Sequence, residues 1–315
     1  MPKTHRGRRN RERVIQRIDR HWAEKGATTA TVEVDQAPGQ YARMKANGKE
    51  LLRRLEIDYP PETRLLAQAP QTSRLNIMAP SLTRELKPGL TAVLRKFTDV
   101  IKPHAQAEIQ HIFEEMQAAG IRYPRPKRGS NRSETPALHL GIWEKFRMKP
   151  KITNESWKMQ RTSVRALIAQ LCTIVSTEIA PTMVGILGFY YPELWERQQK
   201  ILYRVRNELG AEFEEMPWLD FKGAFFAIAI KEGGSEINHL DWSDDPKGLT
   251  WVAPVGTWRG GDLKTIEMGL QTSIGPGDAI IANMREIVHA AAPVSQGTRI
   301  TLTGFTCSFL AKHSV

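Results

Sequence analysis

HLDWSDDPKGLTWVAPVGTWRGGDLKTIEMGLQTSIGPGDAIIANMREIVHAAAPVSQGTRITLTGF, residues 239–305, sets the architecture of the chain, and the pattern it follows begins some way before it. From about Lys222 onward the hydrophobic period is close to two, not the three to four of a helix. AFFAIAI, EINHLDW, LTWVAPV, GDLKTIE, LQTSI, DAIIANM, IVHAAAP and RITLTGFTCSF read as strands, separated by GG, DDPKG, GTWRGG, MG, GPG and SQG turns. Eight short antiparallel strands preceded by helices predict an α+β protein with a double-sheet jelly-roll core on a helical layer. Strand counting alone leaves an open sheet or a Greek-key sandwich as alternatives.

Upstream, SVRALIAQLCTIVSTEIA and PELWERQQKILYRVRNEL carry apolar residues every three to four positions and predict the supporting helices, about 157–210. LTAVLRKFTDVIKPHAQAEIQHIFEEMQAAG reads as one or two helices broken near Pro103 and stopped by Gly120, and its His104 and His111 read as core or surface histidines. With KANGKELLRRLEI also helical and only TATVEV β-like, residues 26–121 are expected to be a mainly helical N-terminal region without assigned chemistry. Residues 1–25 read as a basic N-terminal helix or tail, with Val14, Ile15, Ile18 and Trp22 at helical spacing. A basic linker or loop is expected at 122–136, and a second region at 137–315, with its strands at about 222–310.

The net charge of +11 is unevenly spread. Residues 1–121 carry 21 Lys and Arg against 14 Asp and Glu, residues 122–165 carry 12 against 3, and residues 166–315 carry 12 against 17. The positive block at 122–165 predicts either a polyanionic partner or a solvated basic surface, and charge alone does not separate them. Two cysteines, Cys172 and Cys307, cannot supply a disulfide framework or a zinc knuckle, so an intracellular chain free of structural zinc is expected. The opening residues are charged where a secretory leader is apolar, and no stretch is expected to approach the ~20 apolar residues that span a bilayer, which predicts a soluble protein without a membrane partner.

The chemistry lies in the strands. His239 and Asp241 of NHLDW point to one face if the backbone is extended, and His289 of EIVHAAAP follows 48 residues after the aspartate. Two histidines and one carboxylate form the facial ligand set of non-haem Fe(II). Arg299, ten residues beyond His289 and expected at the start of the last strand, can grip a carboxylate in two-pronged fashion. Thr301 shares its face and can donate a further hydrogen bond, so a dicarboxylate co-substrate is implied. HxD alone is common; the ordered set of HxD, His and Arg on successive strands is a far more specific pattern.

These residues give the segment 220–310, with the helices from about 155, a resemblance to the Fe(II)/2-oxoglutarate dioxygenases of the TET/JBP group, most of all its fungal members. The resemblance implies a double-stranded β-helix in which His239, Asp241 and His289 hold Fe(II), Arg299 and Thr301 bind 2-oxoglutarate, and O2 is the second co-substrate. It further implies that a methyl group on a DNA base is oxidised, 5-methylcytosine first and N6-methyladenine also, and hence a nuclear protein. By the same resemblance Asp244, three residues after the carboxylate ligand, contacts the base, and Phe305 stacks on it; a turn residue and a core ring are their plain readings. Cys307 stands where family members carry a base-contacting histidine, and a thiol is a poor donor. Trp242 and Trp258 are candidates to line the substrate pocket, whereas Trp251, inside an apolar strand, reads as core. Arg125, Lys127, Arg128 and Arg132 are candidates to hold DNA phosphates. A dioxygenase of a small molecule or peptide, and a metal-free jelly roll that binds nucleic acid without catalysis, are the competing functions.

Overall fold

The computed structural model describes residues 24, 26–44, 47–60, 66–80, 90–124, 136–145 and 149–314. The expected N-terminal helix and the candidate phosphate contacts Arg125, Lys127, Arg128 and Arg132 lie outside the described residues. The fold is α+β, with a double-stranded β-helix whose large sheet carries a helical layer on one face and a small sheet on the other.

In chain order the elements are β1 (Thr29–Glu33), α1 (Gly48–Asp58), β2 (Ala67–Gln68), β3 (Arg74–Pro80), β4 (Leu90–Phe97), α2 (Pro103–Ala118), β5 (Leu138–Trp143) and β6 (Lys151–Ile152). There follow α3 (Thr162–Ile174), a π-helical stretch (Val175–Ile179), α4 (Ala180–Tyr190), α5 (Pro192–Leu209) and α6 (Ala211–Glu215). The last part holds β7 (Ala227–Glu232), β8 (Thr250–Gly260), β9 (Leu263–Thr265), β10 (Leu270–Thr272), β11 (Ala279–Ala282), β12 (Ala290–Ala291), β13 (Val294–Phe305) and α7 (Ser308–Ser314). The large sheet has the order β1-β3-β4-β11-β8-β13-β7-β5-β6, and the small sheet β12-β9-β10-β2.

Residues 26–121 are not mainly helical. They supply β1, β3 and β4 to the large sheet and β2 to the small one, beside α1 and α2. TAVLRKF, expected as helix, is β4, because it is paired on both edges, with β3 and with β11. Tertiary pairing overrides its weak local preference. Pro103 starts α2 instead of breaking a helix, as a ring with fixed φ and no N–H suits the first turn. EINHLDW, expected as a strand, makes only an isolated bridge between His239 and His289. Arg299 sits well inside β13, which begins at Val294, and not at its start.

Two cores flank the large sheet. On the helical side, Ile109, Phe113, Ile168, Leu171, Ile201 and Val205 pack against Leu140, Ile228, Trp251, Ile300 and Leu302. Each such side chain contributes about 1.5–3 kcal/mol when fully buried. Between the sheets, Leu75, Ile77, Leu94, Ile280 and Ala282 meet Leu263, Met268 and Leu270. Thr162 to Tyr190 forms 29 residues of continuous helix, long and apolar enough to cross a bilayer by length and composition, contrary to the sequence-based expectation. Half of its most apolar stretch is buried inside the protein, as in a core helix.

Candidate metal and anion site

Three side chains converge at the mouth of the sandwich. The ligand atoms of His239, Asp241 and His289 all lie within 4.8 Å of one another. The His239 Nε2 is 3.9 Å from Asp241 Oδ1, and the His289 Nε2 is 3.7 Å from Asp241 Oδ2. Irregular backbone delivers them: His239 N–H donates to the His289 carbonyl at 3.0 Å, His289 N–H returns the bond at 3.1 Å, and Asp241 N–H donates to Met284 at 3.0 Å. Each imidazole Nδ1 lies against the carbonyl two residues before it, Ile237 at 2.7 Å and Ile287 at 2.9 Å. With Nδ1–H donated there, Nε2 carries the lone pair that a metal needs, and the ring cannot swing. The donor set of two nitrogens and a carboxylate fits a divalent transition metal.

The support behind these ligands comes from a part of the chain to which the sequence assigns no role. Leu240 and Val288, each beside a ligand, are buried with Tyr41, Leu51, Leu55 and Ile266. Buried Glu267 accepts the backbone N–H of Gly39 at 3.0 Å, Gln40 at 3.2 Å and Val288 at 2.9 Å, and so ties the N-terminal segment to the residue preceding His289. Burial raises the Glu267 carboxyl above its ordinary range, and those three amides oppose the shift.

The second half of the site is cationic. Arg299 is 3% exposed, and its Nε and Nη1 are buried without a hydrogen-bond partner among the described residues. A buried guanidinium left unpaired is costly, so the geometry calls for an acceptor supplied from outside the protein. Burial pushes its pKa down to about 10, with Asp262 opposing. The Trp258 ring lies 5.6 Å from the guanidinium carbon. Gly234 and Gly261 leave room beside it, since a Cβ on either would lie 3.2 Å from Nη1. Thr301 faces the same side, but its hydroxyl donates to the Gly233 carbonyl at 2.7 Å, so it does not have the proton expected for a co-substrate.

Lys231, which no sequence motif singles out, stands opposite Thr301 across the β7–β13 pair and is 8% exposed. Burial pushes its ammonium down to about 8, with Glu236 opposing and Arg299 adding to the shift. A signal is nevertheless present: in AIAIKE the inward positions are Ala227, Ala229 and then a lysine, where alternation asks for another small or apolar residue.

The residues expected to contact a base fare differently. Phe305 is half-buried on the same face of β13 as Arg299 and Thr301, with its ring edge-on to His139 at 6.3 Å. His139 is itself held by buried Glu155, at 3.0 Å from Nδ1. Asp244 is buried and accepts from the Thr250 hydroxyl at 2.8 Å, which ties it into the fold instead of presenting it outward. Trp242 packs against the cluster of Tyr41, Leu51 and Leu55, not into a substrate recess. Trp251 is 1% exposed, in the core. Cys307 is buried, with its sulfur 3.2 Å from the Glu144 amide and 3.5 Å from the Glu144 carbonyl.

No family model matches the sequence, and no curated protein does. Among solved structures the chain is similar to NgTET1 in complex with 5mC DNA, at 16% identity, over 84% of this chain and 92% of that one, with a TM-score of 0.52. It is also similar to an oxidoreductase of the 2OG-Fe(II) oxygenase family from Burkholderia pseudomallei, at 13% identity, over 69% and 86%, with a TM-score of 0.40. A viral collagen prolyl hydroxylase from Paramecium Bursaria Chlorella virus-1, in its 2OG complex, aligns at 12% identity over 68% and 94%, with a TM-score of 0.32. At these identities the likeness to NgTET1 establishes the oxygenase-type double-stranded β-helix.

Proposed function

We propose that this chain is an Fe(II)- and 2-oxoglutarate-dependent dioxygenase that oxidises the methyl group of a methylated base in DNA, with 5-methylcytosine as first substrate and N6-methyladenine as the alternative. The observation that carries the oxygenase reading is the pairing of a two-histidine, one-aspartate cluster with buried Arg299, whose Nε and Nη1 have no acceptor among the described residues. A binding module without catalysis has no use for either.

His239, Asp241 and His289 would hold the metal, the two imidazoles through Nε2, which is left with its lone pair because each Nδ1 faces a carbonyl, and the aspartate through its carboxylate. Arg299 receives the distal carboxylate of 2-oxoglutarate through the atoms that lack partners. Bound iron, with 2-oxoglutarate and O2, supplies oxidative decarboxylation to succinate coupled to hydroxylation of a C–H bond. The protein orients the co-substrate and keeps water from it, since the guanidinium and both histidines are almost wholly buried.

Two features support a nucleic-acid substrate. Phe305, half-buried on β13 beside His139, offers an aromatic ring. Along 144–165 the described exposed charges Lys145, Lys149, Lys151, Lys158 and Arg161 are all positive, while Glu144 and Glu155 are buried and paired with Arg204 and His139. Such a face attracts phosphates and helps offset the few kcal/mol needed to extrude a base. Action on DNA puts the protein in the nucleus.

The test is succinate release by the Fe(II)-loaded protein with methylated and unmethylated duplexes, read together with mass spectrometry of the nucleosides. Methyl-dependent succinate and an oxidised base are expected. Equal release on both duplexes, with no modified nucleoside, overturns the DNA substrate and leaves a small-molecule or peptide oxygenase. No release under any condition overturns the enzyme.

A further inference from the structure

We propose that His139, aimed by buried Glu155, reads the target base: its Nε2 accepts a hydrogen bond from the exocyclic amine of 5-methylcytosine while the base lies against Phe305. The inference rests on the DNA-base reading given above, and it assigns a contact from β5, outside the segment that carries the metal ligands.

The strands place His139 at the site. Leu138, Leu140 and Ile142 of β5 enter the helical core, so His139, on the alternate position, leaves the opposite face of the large sheet, the one that holds Arg299 and Thr301. It stands opposite Ala229 of β7, which in turn stands opposite Thr303 of β13. Ala229 carries only a methyl group, and the His139 and Phe305 rings meet edge-on with their centroids 6.3 Å apart. From Phe305 a short path leads to the metal ligands: Cys307, two residues on, bridges Asp244, whose N–H donates to the Asp241 carbonyl at 2.9 Å.

Glu155 decides what the ring can do. Its side chain is 8% exposed, and its Oε2 faces both the His139 backbone N–H and, at 3.0 Å, the His139 Nδ1. A carboxylate can cap that backbone amide whatever side chain stands at 139, so a plain strand cap does not call for a histidine. The second bond keeps the proton of the neutral ring on Nδ1, fixes the ring plane and leaves the Nε2 lone pair as an acceptor. Among the described residues Nε2 makes no hydrogen bond, and at 32% exposure the side chain is open to a ligand. The two positions that the family resemblance offers for base contact are engaged elsewhere, Asp244 with the Thr250 hydroxyl and Cys307 with the Glu144 backbone. 5-Methylcytosine and thymine carry the same methyl group and differ at C4, where an amine that donates is replaced by a carbonyl that accepts. An acceptor at Nε2 favours the first and sets two lone pairs against each other with the second.

The experiment measures binding, not turnover. Protein loaded with Mn(II) in place of Fe(II) and with 2-oxoglutarate is titrated, by fluorescence anisotropy, with duplexes that hold 5-methylcytosine or thymine opposite an abasic site, so that neither base loses a pairing partner when it is extruded. The unmodified protein is expected to prefer the 5-methylcytosine duplex. His139→Leu should weaken that duplex about tenfold, the scale of one hydrogen bond left unmade by a buried donor, and leave the thymine duplex unchanged, which reports an intact fold. His139→Asn, too short to reach, should show the same selective loss, and it decides the matter if the leucine variant does not fold. His139→Gln, which keeps an acceptor at comparable reach, should retain the preference. Equal losses on both duplexes, or none on either, overturn the proposal and leave His139 as a partner of Glu155 alone. Unmodified protein that prefers thymine, the mark of a ring that donates, or that prefers neither duplex also overturns it, while methyl-dependent succinate release would leave the DNA reading standing. Protein that binds neither duplex sinks the DNA reading, and this inference with it.

Discussion

Strand β13 faces two ways, and its two faces follow opposite rules. Ile300 and Leu302 enter a continuous apolar core under the helices, where each buried methylene adds stability. Arg299 and Thr301, on the alternate positions, enter the space between the sheets, and there the protein buries a guanidinium whose Nε and Nη1 have no hydrogen-bond acceptor among the described residues. The helical face is built for stability alone. The inner face holds a guanidinium with two nitrogens left without acceptors, which costs the unliganded protein some stability and suits the face to binding.

The strongest way to break this contrast is at the metal. Asp241→Ala removes one of three ligands and the negative charge shared by two imidazoles, and abolition of metal binding and of turnover is expected, read by metal titration and succinate release. Retained tight metal binding would sink the ligand assignment. Next come paired substitutions on β13. Ile300→Ala should destabilise by about 2–5 kcal/mol through transfer and cavity terms. Arg299→Met should leave the unliganded protein as stable as before, or more so by about 1 kcal/mol, while its affinity for 2-oxoglutarate is lost. Urea denaturation of both variants checks this, and comparable destabilisation by the two removes the distinction between the faces.

A smaller effect is expected behind the ligands. Glu267→Ala leaves the amides of Gly39, Gln40 and Val288 without their acceptor, which should cost about 1–3 kcal/mol and weaken the metal, because Val288 precedes His289. Lost stability with unchanged metal affinity would confine Glu267 to the scaffold.

The helices of 162–209 and most of the strands after 222 are legible in the sequence, because their hydrophobic periods are regular and their turns are marked by glycine and proline. The metal triad is legible too, since HxD and a later histidine are specific as an ordered set. The N-terminal third is not. TAVLRKF has no strong local preference, and it becomes a strand through its partners β3 and β11, the second of them far away in the chain. Asp244 and Trp242 resist reading for a related reason. A position relative to a ligand says where the backbone goes, but the hydroxyl of Thr250 and the apolar cluster around Leu51 and Leu55 decide where those side chains are used. Lys231 escapes notice because the apolar run AFFAIAI ends at Ile230, while the strand continues to Glu232.

The smallest effect sharpens the comparison most, because it reads the inner face through protons alone. The Lys231 pKa falls from 10.5 to about 8 in the folded chain. Between those values the unfolded chain holds a proton that the folded chain has released, so this group makes the protein more stable as pH rises from about 8 toward 10. Below 8 both states are charged and the burial penalty is felt in full. Buried Cys172 and Cys307 act in the opposite direction, since their pKa values are raised, and only a difference between variants isolates the lysine. The melting temperature of the unmodified protein, relative to that of Lys231→Met, should therefore climb between pH 7 and pH 9.5, by roughly 2–4 °C for each kcal/mol recovered. A difference that stays level with pH in the unliganded protein would mean that Lys231 is not strained by its surroundings, and that the two faces of the sheet differ in composition but not in their electrostatic cost.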